Sequence, residues 1–98
     1  MAADALQHRL RLLGERFLAT LFDDLAALRA LSDDAPEAAN AIVHRIAGRA
    51  GTFGFPAISI QASRLESLII DGQFGAPAFE PALAELEGLA NAAGESFR

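Results

Sequence analysis

Apolar side chains recur every three or four residues along most of this chain, and that spacing limits the fold more than any other feature. In the first thirty residues the stripe consists of Leu6, Leu10, Leu13, Phe17, Leu21, Leu25 and Leu28. Such spacing places the side chains on one face of an α-helix. No segment alternates apolar and polar residues as a half-buried strand does. The sequence therefore predicts an all-α protein whose first stripe is one amphipathic helix or two helices joined near Gly14.

Prolines mark the starts of the following helices. In "LSDDAPE", Asp33 or Asp34 is a candidate helix cap, and Pro36 suits a first turn. The helix that begins there is expected to end near Gly54. Pro56 is then expected to open the next helix, with an apolar stripe of Ile58, Ala62, Leu65 and Ile69.

The last helix follows the loop "DGQFGAP". It is expected to open at Pro77 or Pro81, with an inward stripe of Leu83, Leu86, Leu89 and Ala90. Four main helices with short links predict an antiparallel four-helix bundle, with a possible additional short N-terminal helix.

Length and composition exclude several classes of protein. Ninety-eight residues fit one domain, spanning 1–98, and 52% hydrophobic residues are too many for a disordered chain. Without cysteine there are no disulfides or thiolate metal sites, and we identify neither a signal peptide nor a membrane-spanning apolar run. A net charge of −5 disfavours nucleic-acid binding. We expect a cytoplasmic protein whose partners are neither nucleic acid nor membrane.

One histidine stands in the second predicted helix, within "AIVHRIAGRAGTFGF". At about 100° per residue, the core side of this helix is predicted to comprise Ala39, Ile42, Ile46, Ala50 and Phe53. His44 then projects nearly opposite the core, into solvent. Arg45 and Arg49 flank it, and its helical neighbours are small or polar: Asn40, Ala41, Ala47, Gly48 and Gly51.

The two glycines on the histidine face need a reason. Glycine costs roughly 1 kcal/mol against alanine inside a helix, and Gly48 and Gly51 gain nothing there by core packing. We interpret them as giving access, so that another protein brings a reacting group up to the imidazole. Asn40, Ala41 and Ala47 are the predicted docking surface for that partner.

The run "HRIAGRAGTFGF" resembles the phosphorylation-site motif of histidine-containing phosphotransfer domains. That motif is a histidine, any residue, an aliphatic residue, lysine and glycine, with a second glycine ten residues after the histidine. His44, Ile46, Gly48 and Gly54 match it, and Ala47 stands in place of the lysine. "AGTFGF" is similar to the phosphoacceptor domain at the N-terminus of chemotaxis histidine kinases. With the helical layout, the resemblance covers nearly the whole chain.

The resemblance implies a phosphocarrier in a two-component phosphorelay. Nε2 of His44 would accept a phosphoryl group from a histidine kinase, a hybrid kinase or a receiver domain, and pass it to an aspartate of a response-regulator receiver domain. The resemblance also places Glu66 beside the imidazole, where it accepts a hydrogen bond from Nδ1–H and leaves Nε2 free. Arg45 and Arg49 are candidates to offset the phosphoryl charge.

The chain shows no carboxylate cluster suited to magnesium. Because phosphoryl transfer relies on a metal and on in-line positioning, the partner is expected to supply both. The chain is then a carrier without a metal site or cofactor of its own, and not an enzyme.

Two other interpretations remain. One is a degenerate phosphotransfer fold that only binds signalling partners, which Ala47 in place of the lysine favours. The other is the dimerising, autophosphorylating core of a sensor kinase. It is disfavoured because such domains usually place an acidic residue directly after the histidine, where this chain has Arg45. The second histidine, His8, is predicted to be a surface residue without a functional role.

Overall fold

A computed structural model describes residues 2–96, which form four α-helices and, within that range, no strand. The helices are α1 (Ala2–Ala30), α2 (Pro36–Thr52), α3 (Pro56–Ile70) and α4 (Phe79–Glu95). Helices α2 and α4 each pack against α1 and α3. The prediction of an all-α protein is confirmed, and Pro36 and Pro56 each open a helix. The antiparallel order of a four-helix bundle stays a prediction.

Helix α1 is much longer than the other three. It has 29 residues against 15 to 17, which corresponds to about 44 Å against at most about 26 Å at 1.5 Å per residue. It runs without a break through the buried Gly14, so the alternative of one amphipathic helix is confirmed, and the possible additional N-terminal helix is not. Because the shorter helices do not cover its beginning, Leu6 and Leu10 stay 57% and 56% exposed.

The core lies between the four helices and draws on all of them. Its fully buried large side chains come from each helix: Leu21, Val43, Ile46, Leu65 and Leu86. At one end the Phe17 ring stacks on Phe55, with ring centroids 5.3 Å apart. Gln61 is a buried polar residue, and its Nε2 donates to the Ala82 carbonyl at 3.0 Å, which links α3 to α4. Within residues 2–96, no helix is long and apolar enough to cross a membrane.

The core side of α2 differs in part from the prediction. Three of its five predicted members are buried: Ala39, Ile46 and Ala50. Val43 is fully buried although it was not predicted, whereas Phe53 keeps 37% of its surface exposed and Ile42 is half-buried. Val43 belongs to the core shared by the four helices, and α3 is the helix that has the most extensive contact with α2.

Gly54 turns the chain from α2 into α3. Its φ is +84°, in the left-handed region that favours glycine. The Phe55 N–H donates to the Ala50 carbonyl at 2.8 Å, and the Gly54 N–H reaches the Gly51 carbonyl at 3.5 Å. These two bonds form a Schellman motif, which satisfies carbonyls at the end of α2. The predicted helix end near Gly54 is confirmed, and α3 follows after a very short link.

The prediction that Asp33 or Asp34 caps α2 is wrong. The residue before the helix is Ala35, and no side chain bonds to the first N–H groups of α2. The Ser32 hydroxyl instead donates to the Asp34 carboxylate. Asp33 lies against Gly75, where a Cβ would come within 2.7 Å of the Asp33 Cγ. Glycine therefore lets the α3–α4 link approach the α1–α2 link.

Arg29 joins the end of α1 to the first half of α4. Its Nε and Nη2 donate to the two carboxylate oxygens of Glu87, both at 2.7 Å. Its Nη1 and Nη2 donate to Glu80 at 3.1 and 2.9 Å. Hydrogen bonds to Glu87 and then to Glu80 raise the pKa of Arg29. The hydrogen bond from Arg29 lowers the pKa of Glu80 below its ordinary value of 4.5.

We expect the stabilisation from this cluster to be present near neutral pH and lost in acid. Because the pKa of Glu80 is lower in the folded state, the unfolded chain takes up the proton first as the pH falls through 4.5. Arg29→Gln should therefore lower the denaturation midpoint near neutral pH and make little difference well below the folded pKa of Glu80.

Urea denaturation at the two pH values measures this effect. Arg64→Gln is the matched control, since Arg64 donates to the neutral Gln61 at 3.2 Å and its loss should act equally at both pH values. An Arg29→Gln effect that is as large in acid as at neutral pH would contradict the account.

Candidate functional site

His44 lies in the middle of α2, at the edge where α2 meets α3. Its side chain is 75% exposed. This exposure agrees with the expected position of His44 away from the core. Since α3 covers the neighbouring side of α2, the imidazole also lies within reach of side chains on α3.

Glu66 on α3 contacts the imidazole. Its Oε2 is 2.6 Å from Nδ1 of His44, and the Glu66 side chain is only 24% exposed. An ionised carboxylate can only accept hydrogen bonds, so a neutral imidazole in this contact carries its proton on Nδ1. Nε2 is then left with a lone pair directed to solvent. The geometry thus provides a nucleophilic nitrogen in one tautomer.

Arg45 does not join this pair. Its Nη2 donates to Oδ1 of Asp24 on α1 at 2.7 Å, and the Asp24 side chain is only 13% exposed. The guanidinium therefore links α2 to α1, on the side of α2 away from Glu66. Sequence reasoning missed this role of Asp24, because nothing in the local pattern of α1 marks which acidic residue meets α2.

Arg49 is exposed, and among residues 2–96 its side chain has no hydrogen bond or ion pair. It lies five residues after His44, which is about 140° around the helix. The two predicted charge-offsetting residues therefore differ: Arg45 is held by Asp24, whereas Arg49 has no such partner among residues 2–96.

The two glycines of the histidine face have different surroundings. A Cβ at Gly48 would meet nothing within 4 Å, so the space beside His44 is open there. A Cβ at Gly51 would lie 3.5 Å from Oγ of Ser59 on α3. Gly48 thus borders solvent, while Gly51 borders the neighbouring helix.

The three residues of the predicted docking surface are not equally available. Ala41 is exposed, whereas Asn40 and Ala47 are half-buried. Oδ1 of Asn40 is buried and has no hydrogen-bond partner among the described residues. The Ala47 carbonyl accepts a hydrogen bond from Oγ of Ser59 at 2.8 Å. Ser59 was missed from the sequence, although it precedes Glu66 by seven residues and so shares its helix face.

The remaining candidates lie apart from this site. His8 is exposed on the uncovered part of α1. Across residues 2–96, no group of three or more histidine and acidic side chains is arranged to hold a metal ion.

Comparison with known proteins assigns the family. The model of the Hpt domain family matches residues 13–96, which include α2, α3, α4 and the covered part of α1. Searches of curated proteins and of solved structures gave no match. Hpt domains serve histidine phosphotransfer in phosphorelays as phosphocarriers rather than catalysts, and they interact with kinases and receiver domains. Since the match spans most of the chain together with His44 and Glu66, this protein belongs to the Hpt domain family.

Proposed function

We propose that His44 is the residue that carries the phosphoryl group. A histidine kinase, a hybrid kinase or a phosphorylated receiver domain donates the group, and an aspartate of a response-regulator receiver domain accepts it. The supporting observation is the 2.6 Å contact between Nδ1 of His44 and Oε2 of Glu66 on an otherwise exposed imidazole. That contact leaves Nε2 free for attack on phosphorus.

The transfer uses the Nε2 lone pair. As the bond from Nε2 to phosphorus forms, the bond from phosphorus to the donor oxygen breaks, and that oxygen leaves with the electron pair. Nδ1 keeps its proton, so the ring becomes positive where it faces the Glu66 carboxylate. In the onward step the receiver aspartate attacks phosphorus, and the imidazole leaves as a neutral ring. Glu66 thus stabilises the ring in both directions of transfer.

The phosphoryl group adds roughly two negative charges beside Glu66. Arg45 is engaged with Asp24, so Arg49, about 140° around α2 from His44, is the remaining predicted charge-offsetting residue. Neutralisation in the transition state falls to the partner, which supplies the metal ion and the positioning groups. The chain thus acts as a phosphoryl carrier. We propose that it and its partners are cytoplasmic.

The surface around Nε2 suits a close partner. Ala41 and Gly48 place little side chain next to the imidazole. In-line attack needs the reacting atoms within about 3.5 Å, which a tall side chain next to the ring would prevent. The similarity of "AGTFGF" to chemotaxis kinases makes that class of kinase the first donor to test.

We expect His44→Gln to keep the helical fold and to abolish phosphate uptake. The side chain is exposed, so its loss opens no cavity in the core. Labelling by a panel of histidine kinases and phosphorylated receivers is the measurement, with circular dichroism to monitor helix content. His8→Gln is the matched control, because it changes the other exposed histidine in the same way.

Two results would contradict the proposal. Equal labelling of wild type and His44→Gln would place the phosphoryl group on another residue. No labelling of the wild type by any donor, together with intact receiver binding, would favour the module that only binds partners.

We expect substitutions of Gly48 to change stability and transfer in opposite directions. Gly48→Ala should stabilise the protein by up to about 1 kcal/mol, the difference in helix propensity at an exposed site. Gly48→Gln should slow phosphoryl transfer, because side chains on a helix lean towards its N-terminus and would cover His44. Thermal melting and the transfer rate to a receiver measure the two effects.

Gly88 on α4 provides the control for Gly48. It is exposed, it is helical, and a Cβ there also meets nothing within 4 Å. Gly88→Ala and Gly88→Gln should shift the melting temperature as the Gly48 variants do, without slowing transfer. Wild-type transfer by Gly48→Gln would show that Gly48 does not serve access.

A further inference from the structure

We propose that Ser59 is a positioning residue for the His44–Glu66 pair, an inference that rests on the proposed function of His44. The Ser59 hydroxyl donates to the Ala47 carbonyl at 2.8 Å and so joins α3 to α2. By holding α3 in one rotation and register, it directs the Glu66 carboxylate to Nδ1 of His44. Ser59 acts on the imidazole only through Glu66.

The unusual direction of the Ser59 hydrogen bond is the first support. Hydroxyl side chains inside helices commonly donate to the carbonyl four residues earlier in the same helix. Thr52 and Ser67 do so here, with bonds to the carbonyls of Gly48 and Ser63 at 3.1 and 3.2 Å. The half-buried Ser59 instead reaches across to α2.

The spacing of the two contacts is the second support. Ser59 and Glu66 are seven residues apart, which is about two turns and about 10 Å along one face of α3. Within residues 2–96, the side-chain hydrogen bonds that join α2 to α3 are those from these two residues. A rotation of α3 that moved Glu66 away from His44 would therefore also break the hydrogen bond of Ser59.

Apolar packing sets the rotation of α3 only to within the width of its buried face. Ala62 and Leu65 bury α3 against the core, but burial of apolar surface has no directional preference. Hydrogen bonds weaken steeply when their angles depart from the preferred geometry. The Ser59 bond therefore supplies the directional constraint that the 2.6 Å contact between Glu66 and His44 requires.

The small residues opposite Ser59 fit the same role. A Cβ at Gly51 would already be in van der Waals contact with Oγ of Ser59, at 3.5 Å. Larger side chains at this point would push α3 away from α2. Gly51 thus allows α3 to lie close enough to α2 for the Ser59 hydroxyl to reach the Ala47 carbonyl.

The test compares Ser59→Ala with Ser67→Ala. Both remove a hydroxyl from α3, but Ser67 bonds only within its own helix. Nitrogen-15 NMR of the His44 ring reports the ratio of the two neutral tautomers. We expect Ser59→Ala to lower the share of the Nδ1–H tautomer towards the value in Glu66→Ala, while Ser67→Ala keeps the wild-type ratio.

Labelling by phosphoramidate gives a second readout that needs no partner protein. In this reaction Nε2 bonds to phosphorus, and ammonia leaves with the electrons of the broken P–N bond. We expect slower labelling of Ser59→Ala than of wild type or Ser67→Ala. In the Glu66→Ala background, adding Ser59→Ala should change neither the tautomer ratio nor the labelling rate further.

The outcomes separate the positioning role from the proposed function. A wild-type tautomer ratio in Ser59→Ala would overturn the positioning role, as would an additional loss on the Glu66→Ala background. Failure of wild-type His44 to become phosphorylated, with the tautomer ratio still dependent on Ser59, would contradict the proposed function and leave the positioning of the ring supported.

Discussion

The close packing of α3 on α2 is the contact on which the candidate site depends. The left-handed Gly54 turns the chain back after α2, and the buried Val43 and Leu65 belong to the core that joins these helices. At the edge of this contact, next to solvent, α2 has the small residues Ala47 and Gly51. The short approach permits a carboxylate on one helix to bond an imidazole on the other.

Every packed pair of helices carries a directional polar link in addition to apolar contact. Arg29 joins α1 to α4, and Arg45 joins α2 to α1 through Asp24. The side chain of Gln61 joins α3 to the backbone of α4, and Ser59 joins α3 to α2. Exposed ion pairs contribute only about 0–1 kcal/mol each. Their hydrogen-bond geometry adds a directional constraint to the apolar packing between helices.

Charge shapes the proposed phosphoryl transfer as much as geometry does. The chain has a net charge of −5, and a carboxylate is the hydrogen-bond partner of His44. The Glu66 carboxylate faces the positive ring that forms when Nε2 is phosphorylated with Nδ1 protonated. The negative charge of the chain repels the phosphoryl oxygens. A partner that brings cations is therefore attracted to the phosphorylated site. A carrier of this kind depends on its partner for charge as well as for the metal ion.

The sequence by itself determined the helices and the exposed position of His44. Periodicity of apolar residues and the prolines at 36 and 56 act within a few residues, so they could be interpreted locally. The family resemblance supplied Glu66, which no periodicity in α3 singles out as a partner of α2.

Only the tertiary structure decided which of these local features meet. The stripe of α1 continues through Leu6 and Leu10, yet these stay exposed because α2, α3 and α4 are too short to cover them. Arg45 was expected beside the phosphoryl group, but its guanidinium instead binds Asp24 on α1. Ser59 resembles any helical serine until α2 is placed next to it. Helix periodicity fixes the face of a residue, whereas its partner depends on packing between segments far apart in the chain.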